Sequence, residues 1–142
     1  MKIILNKCFG GFELSPIATM MYAEKKGIVL YPYCYNYRGS GIIGYKYVAD
    51  VTKVKKVDYF FTEYFGDKVT DKDIDNKSFY YPDRDEIRKD PDLISVVEEL
   101  GEEANGWCSE LVVVDIPDEL DGKYVIDDYD GIETLHEDVP VW

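Results

Sequence analysis

The sequence predicts an α+β fold, with a mostly antiparallel sheet and two helices packed on one face. Three observations support this class. Two segments carry helix start signals, short runs rich in β-branched and aromatic residues outnumber them, and turn residues separate neighbouring runs as in hairpins. A length of 142 residues suits one globular domain, over residues 1–142.

Both predicted helices begin at a capping residue that is followed by proline. Ser15-Pro16 starts a helix that runs to about Lys26, and Asp90-Pro91 starts one that runs to about Ala104. Serine and aspartate accept hydrogen bonds from the free amides of a first turn, and proline fits the first helical position because no amide is needed there.

The predicted strands are short. They cover residues 3–7, 28–37, 43–48, 57–62, 78–81 and 111–116, with residues 124–126 as the hairpin partner of 111–116 and one more strand within 129–135. Residues 38–41 form the turn between the second and third strands. Pro32 lacks an amide donor, which favours an edge position or a bulge for its strand.

The charge is divided unevenly along the chain. The formal net charge is −13, but residues 1–70 carry 10 basic and 6 acidic side chains, whereas residues 71–142 carry 6 and 23. The first half can therefore attract an anion, and the second half repels nucleic acid or imitates it, so we expect no direct nucleic-acid binding. No apolar run approaches the roughly 20 residues of a membrane helix, and we expect no membrane association.

Alternate tyrosines mark the second predicted strand. Tyr31, Tyr33, Tyr35 and Tyr37 share one face if the segment is extended, and Arg38 follows at the turn. Tyrosine rings stack on planar bases and arginine binds phosphate, so the pattern suits a nucleotide-like ligand. The alternative is a sheet face covered by the rest of the protein.

The candidate ligand-binding residues follow from this pattern. They are Tyr33, Tyr35, Tyr37, Arg38, Gly39 and Ser40, with Arg84 and Arg88 as second clamps if folding brings them near. Lysines at positions 46, 53, 55 and 56 add a local positive field in a protein that is negative overall.

Two other residue patterns give weaker evidence for a binding site. Gly10-Gly11 lies between a strand and a helix but lacks the spacing of a phosphate-binding loop, so a tight turn is the preferred interpretation. Asp71, Asp73 and Asp75 have the spacing that begins a calcium loop, yet Asn76 stands where an EF-hand needs glycine. A solvated acidic loop is predicted there, with a looser calcium site as the alternative.

No catalytic motif, metal site or cofactor site is predicted. The three cysteines, Cys8, Cys34 and Cys108, form no zinc-binding spacing, and we expect three reduced thiols that are mostly buried. The acidic run near the end of the chain consists of Asp127, Asp128, Asp130, Glu133, Glu137 and Asp138. Such a run is usually a solvated surface, and the more specific alternative is that it mimics the phosphates of DNA.

Two segments resemble a known family. Residues 4–15 read ILNKCFGGFELS and residues 88–101 read RKDPDLISVVEELG, continuing through Ala104-Asn105-Gly106 to Tyr129-Asp130-Gly131. They are similar to a family of small uncharacterised proteins of tailed bacteriophages, prophages and large DNA viruses. The resemblance implies a viral origin, but no activity. Because the three thiols are expected to be reduced, we expect a cytoplasmic location, which for a viral protein is that of the host cell.

The resulting hypothesis is a non-catalytic viral accessory protein that counters a host defence by binding. In the leading version it sequesters a nucleotide-type signalling ligand. In the alternative it is an acidic, DNA-mimic-like protein that inhibits a host defence enzyme directly. The expected partners are thus a nucleotide-like small molecule or a host defence protein, and the sequence leaves open whether the chain forms a homo-oligomer.

Overall fold

The computed structural model describes residues 1–71, 74 and 78–138. Its helices are α1 (Pro16–Lys25), α2 (Arg84–Ile87) and α3 (Pro91–Leu100), and its strands are β1 (Lys2–Asn6), β2 (Tyr31–Gly39), β3 (Ile42–Tyr47), β4 (Tyr59–Phe61), β5 (Lys68–Thr70), β6 (Leu111–Asp115), β7 (Tyr124–Tyr129) and β8 (Ile132–Glu137). Short 3₁₀ helices cover Val51–Lys53, Gly101–Ala104 and Asp118–Leu120. The α+β class is confirmed. Within the described part of the chain, the antiparallel strands are divided among three sheets rather than gathered into one.

Both predicted helix starts are confirmed. The Ser15 hydroxyl accepts a hydrogen bond from the Ala18 amide at 3.2 Å, and the Asp90 carboxylate accepts one from the Asp92 amide at 2.9 Å. Helices α1 and α3 pack against each other, and α3 also contacts the sheet formed by β1 and β6. Their facing apolar side chains form the first hydrophobic core, which comprises Ile4, Leu14, Ala18, Tyr22, Ile87, Leu93, Ile94, Val96, Val97, Ala104 and Leu111.

The pairing of β6 differs from the prediction. β6 pairs with β1, more than 100 residues away in the chain, and not with the segment that follows it. That segment, β7, instead pairs with β8 around the two-residue turn Asp130-Gly131, where both residues have positive φ angles of 49° and 97°. Positive φ at both turn positions is the geometry of a tight hairpin turn whose twist matches that of the strands.

The remaining strands form a four-stranded sheet in the order β4-β2-β3-β5. The predicted turn between β2 and β3 is confirmed as the two-residue loop Ser40-Gly41, again with positive φ at both positions. β5 lies in a segment for which no strand was predicted.

Pro32 occupies an interior strand, so of the two alternatives predicted for that strand the edge position is wrong, whereas β2 does contain a bulge, at Asn36 and not at the proline. β2 is flanked by β4 and β3, and Pro32 is buried. The proline is tolerated because the Tyr33–Tyr47 pair is the end of the ladder between β2 and β3, and Pro32 lies one residue outside it. Beyond that pair the Val48 amide donates to the Pro32 carbonyl at 2.9 Å, so the missing proline amide falls outside the ladder.

Candidate functional site

The predicted tyrosine face is mostly a second hydrophobic core. Tyr33 is 0% exposed, and it packs with Tyr45, Phe61 and Val69. Its hydroxyl donates to the Gly66 carbonyl at 2.8 Å and accepts from the Phe65 amide at 3.0 Å, so the polar tip is satisfied inside the protein. Tyr33 is thus a core residue and is not available to stack on a ligand.

A β-bulge separates Tyr37 from the other tyrosines. Tyr35 pairs with Tyr45, but Tyr37 pairs with Gly44, the next residue of β3, so Asn36 is an extra residue in β2. Because side chains alternate between the two faces of a strand, the extra residue moves Tyr37 to the opposite face. There its side chain lies against Gly39 and Gly44, where any Cβ atom would come within about 3 Å of it.

The same bulge brings Arg38 onto the tyrosine face. The Arg38 guanidinium carbon lies 4.4 Å from the centre of the Tyr35 ring, and the Tyr35 ring stacks on Tyr45 at 5.4 Å between ring centres. Arg38 and Tyr35 lie together and are exposed, whereas Gly39 is the last residue of β2 and Ser40 begins the adjoining two-residue turn. A guanidinium on an aromatic ring offers a flat cationic surface to a ligand.

The predicted second clamps lie elsewhere and are paired with carboxylates. Arg88 is 2% exposed and forms an ion pair with the buried Glu133, with Nη2 and Oε2 at 2.9 Å. Arg84 binds Asp128, with Nη1 and Oδ2 at 2.6 Å. These two arginines fasten the β7–β8 hairpin to the first core, so we assign them a structural role.

A cleft between α1 and the four-stranded sheet combines lysines with aromatic rings. Its volume is about 460 Å³. Its polar and aromatic lining comprises Glu13, Thr19, Lys55, Lys56, Asp58, Tyr59, Phe60, Phe79, Tyr80 and Tyr81. We call this feature the basic aromatic cleft. Tyr80 is 77% exposed, and its ring is therefore accessible to a ligand.

Tyr59 connects the basic aromatic cleft to the Tyr35–Arg38 pair. The Tyr35 hydroxyl donates to the Tyr59 hydroxyl at 3.3 Å, and the two rings meet edge to face. The contact with the Tyr35 hydroxyl raises the pKa of Tyr59 to about 12. Like an ordinary tyrosine, Tyr59 is protonated at neutral pH and can donate a hydrogen bond. The Asp58 carboxylate accepts the Tyr35 amide at 2.7 Å and ties the two strands at the same point.

A second groove adjoins the cleft. It has a volume of about 540 Å³, and it shares Pro16 and Lys55 with the basic aromatic cleft. Trp107, which is 65% exposed, forms one wall, and the Lys55 ammonium lies 5.3 Å from the centre of its ring. Lys55 therefore stands between two aromatic surfaces.

The sequence pattern missed Tyr80 and Trp107 as site residues. The lysines at 55 and 56 were part of the predicted positive field, but no local signal places them against residues 79–81 and 107. Only the chain topology joins these segments.

The acidic run is not one uniform surface. Glu133 is fully buried, and the Asp128 carboxylate is held by Arg84, whose hydrogen bond lowers the pKa of Asp128. His136 binds Asp127, with Nε2 and Oδ2 at 2.6 Å. Asp130 occupies the hairpin turn, and its carbonyl accepts the Gly10 amide at 3.0 Å. Gly10-Gly11 thus packs against this turn, in agreement with a tight turn and not with a phosphate loop.

The described residues contain no cluster of three or more His, Cys, Asp or Glu side chains that could hold a metal ion. The calcium-loop candidates Asp73 and Asp75 lie outside the described residues. The thiols are less buried than predicted, since Cys108 is exposed and Cys8 and Cys34 are half-buried.

Comparisons of the chain with protein-family models, curated proteins and solved structures found no match in any of the three. Among the residues that the structure describes, no helix is both long and apolar enough to cross a membrane.

Proposed function

We propose that this protein is a non-catalytic viral accessory protein that binds and sequesters a nucleotide-type signalling ligand in the basic aromatic cleft. The observation that carries the proposal is the meeting of Lys55 and Lys56 with the accessible Tyr80 ring in one cavity. Neither lysine forms an ion pair with any described residue. The viral part of the proposal rests on the sequence resemblance alone.

The size and lining of the cleft suit a nucleotide. Cavities that hold small ligands usually measure about 300–1,000 Å³, and this one lies within that range. A base stacked on Tyr80 gains about 1–3 kcal/mol, as in single-strand binders. The ammonium groups of Lys55 and Lys56 supply the point charges that phosphate needs in a protein of net charge −13.

The two carboxylates of the cleft orient the ligand. Glu13 and Asp58 repel phosphate, so the phosphate groups are expected beside the lysines. A carboxylate also accepts hydrogen bonds from ribose hydroxyls, as in dinucleotide-binding folds. A molecule that has a base, a sugar and phosphate in line therefore matches the lining better than phosphate alone.

The lining favours binding over covalent chemistry. The cleft contains no cysteine or histidine, and the single histidine of the chain, His136, is paired with Asp127 on the β7–β8 hairpin. Histidine, the most frequent general acid–base side chain, and cysteine, the most reactive nucleophile, are thus absent from its lining. Sequestration requires only affinity, and stacking with two charge contacts is compatible with a micromolar dissociation constant, or about −8 kcal/mol.

A thermal-shift screen against cyclic mononucleotides, cyclic dinucleotides and ADP-ribose tests the proposal. We expect at least one to raise the melting temperature of the wild type. The double variant Lys55→Ala/Lys56→Ala and the variant Tyr80→Ala are expected to bind tenfold more weakly or worse. Lys25→Ala, which removes an exposed lysine at the end of α1, is the matched control and should bind normally. A folded wild type that responds to no nucleotide would overturn the proposal.

A second candidate function is direct inhibition of a host defence enzyme by the acidic half. Residues 101–138 contain Lys123 as their only lysine or arginine, and Asp127, Asp130 and Glu137 are exposed. This surface suits a basic groove on a partner protein. Slower association at higher salt, and with Asp127→Asn and Asp130→Asn, would support this candidate.

A further inference from the structure

The sheet formed by β1 and β6 has one covered edge and one open edge. The Lys7 amide donates to the Glu110 carbonyl, and the Ile116 amide donates to the Met1 carbonyl, both at 2.8 Å. In an antiparallel pair, hydrogen-bonded and non-hydrogen-bonded residue pairs alternate. Val112 and Val114 therefore bond to β1, whereas the backbone groups of Val113 and Asp115 point away from it.

The outer edge of β1 is closed by Arg88 and Glu133. The Ile4 amide donates to the Arg88 carbonyl at 2.9 Å, and Arg88 Nη1 donates back to the Ile4 carbonyl at 3.1 Å. The Asn6 amide donates to Glu133 Oε1 at 2.9 Å. These side chains take the place of a neighbouring strand on that side.

The outer edge of β6 has no such cover. The Leu111 amide donates to Asn105 Oδ1 at 2.8 Å. Further along, no residue that the structure describes bonds to the backbone amides or carbonyls of Val113 and Asp115. Edge strands are usually protected by lysine, proline or a bulge, and Val112–Val114 has none of these. Val112 is 36% exposed, so apolar surface accompanies the open edge.

The charge around this edge indicates what pairs with it. Residues 98–121 carry nine acidic side chains and no lysine or arginine. The Met1 ammonium, Lys2 and Lys89 form ion pairs with four of these carboxylates, those of Glu98, Asp115, Asp118 and Asp121, and the other five, Glu110 among them, have no ion pair with a described residue. Glu110 and Asp115 flank the open stretch and are exposed. A second copy of the chain would bring two such regions, each on a molecule of net charge −13, into contact, whereas a cationic strand would be attracted.

We infer that the open edge of β6 binds an extended, lysine- or arginine-rich segment of a partner protein by strand addition. The partner backbone pairs with the amide and carbonyl of Val113, the Asp115 amide and the Leu111 carbonyl. Its basic side chains face the surrounding carboxylates, and its apolar side chains pack beside Val112. This surface is separate from the basic aromatic cleft, and the inference does not depend on nucleotide binding.

A heptapeptide of alternating lysine and valine, blocked at both ends, is the probe. Amide hydrogen exchange is measured on the wild-type protein with and without it. In the free protein we expect Val113 and Asp115 to exchange faster than Val112 and Val114, and we expect the peptide to protect Val113 and Asp115 at least tenfold. A peptide with glutamate in place of lysine, and one with alternate N-methylated amides, should give no protection.

Proline substitution tests the same edge from the protein side. Val113→Pro removes the outward amide and no hydrogen bond to β1, although it also replaces a partly buried side chain that packs on the first core. The protein should therefore fold with some loss of stability and bind the lysine–valine peptide at least tenfold more weakly. Val112→Pro removes a bond to β1 and should destabilise the fold. The Lys55→Ala/Lys56→Ala variant should bind the peptide with the affinity of the wild type, which would show that peptide binding does not use the basic aromatic cleft.

Three outcomes would overturn the inference. One is fast exchange of Val113 that the lysine–valine peptide leaves unchanged. Another is equal affinity of the wild type and Val113→Pro for that peptide. The third is a dimer, seen by sedimentation velocity in the absence of peptide, that Val113→Pro abolishes, because it would assign the edge to a second copy of the chain.

Discussion

Arg88 and Glu133 form an ion pair in which neither side chain is more than 2% exposed. Arg88 is the residue just after α2, and Glu133 lies on β8, 45 positions further along the chain. The pair joins the β7–β8 hairpin to β1, because Ile4 and Asn6 bond to the same two residues. A buried charged contact is thus one of the links between the β7–β8 hairpin and β1, beside the hydrogen bonds from Asn6 to the Gly131 carbonyl and from Lys7 to the Glu133 carbonyl.

Breaking this pair should be strongly destabilising. Glu133→Gln removes the only buried carboxylate that pairs with Arg88 among the described residues and leaves the exposed Asp85 carboxylate, 3.2 Å from Nη2, as its remaining ionic partner. Removing one partner of a buried ion pair costs about 3–5 kcal/mol. Urea denaturation measures the change. Glu137→Gln, an exposed residue of the same strand, is the control and should change stability by less than about 0.5 kcal/mol. Similar midpoints for the two variants would show that the buried pair does not fasten the hairpin.

The cap of α3 should contribute measurably to stability. Asp90 accepts the Asp92 amide, and its replacement by alanine is expected to lower the free energy of unfolding by about 1 kcal/mol or more, since Tyr22 and Lys26 also bond to it. Asp83→Ala is the matched control, because Asp83 precedes α2 without making a side-chain capping bond. Equal denaturation midpoints for the two variants would contradict the assigned cap.

The same carboxylate predicts a pH dependence. Burial opposes the ionisation of Asp90, but hydrogen bonds from Tyr22 and Lys26 outweigh it and lower the pKa of Asp90 below its ordinary value of 3.8. A lowered folded-state pKa stabilises the protein above the unfolded-state value, and the contribution is lost as the pH falls through the folded-state value. The stability difference between wild type and Asp90→Ala should therefore shrink below about pH 4. A stability difference between wild type and Asp90→Ala that stays constant down to pH 2 would contradict the lowered pKa of Asp90.

His136 reports on the β7–β8 hairpin. The hydrogen bond to Asp127 raises the pKa of His136 above 6.5, so the pair adds stability below the unfolded-state value, and this is lost as the pH rises through the folded-state value. The sequence has one histidine, so its imidazole signals can be followed by NMR without overlap. Asp127→Asn should lower the titration midpoint, whereas Asp130→Asn should leave it nearly unchanged. Equal midpoints in wild type and Asp127→Asn would refute the pairing.

The two faces of β2 predict opposite responses to tyrosine substitution. Tyr33→Ala removes a fully buried ring and should lower the free energy of unfolding by about 3–5 kcal/mol. Tyr37→Ala, on the far side of the bulge and 54% exposed, should lower it by much less. Chemical denaturation of both variants tests the assignment, and similar losses would show that the bulge does not separate the two residues.

Local signals predicted α1 and α3 well, because a cap and a proline act within one turn, but they did not predict the four-residue helix α2. The helix starts at Ser15 and Asp90 can each be identified from the capping residue and the three residues that follow it. The pairing of β1 with β6 could not be predicted this way, since it joins residues more than 100 positions apart. The Asp130-Gly131 turn did carry a usable hairpin signal, because aspartate-glycine favours two positive φ angles.

The candidate site was predictable only in part. The alternation of tyrosines correctly indicated an extended segment, but not that Tyr33 would be enclosed. One extra residue, Asn36, reversed the face of Tyr37 and brought Arg38 to the tyrosine side, and nothing in the sequence marks that bulge. Arg88 looked like an exposed clamp because its partner, Glu133, lies far along the chain in an apparently solvated acidic run.

The most direct test of ligand binding is an NMR titration of the ¹⁵N-labelled wild type with the nucleotide that gives the largest thermal shift. The account predicts saturable shifts of amide signals concentrated at residues 55–60 and 79–81, with smaller shifts at Tyr35 and Arg38. The β7–β8 hairpin and the edge of β6 should remain unchanged. Shifts that do not saturate, or that cluster away from the basic aromatic cleft, would contradict the proposed function.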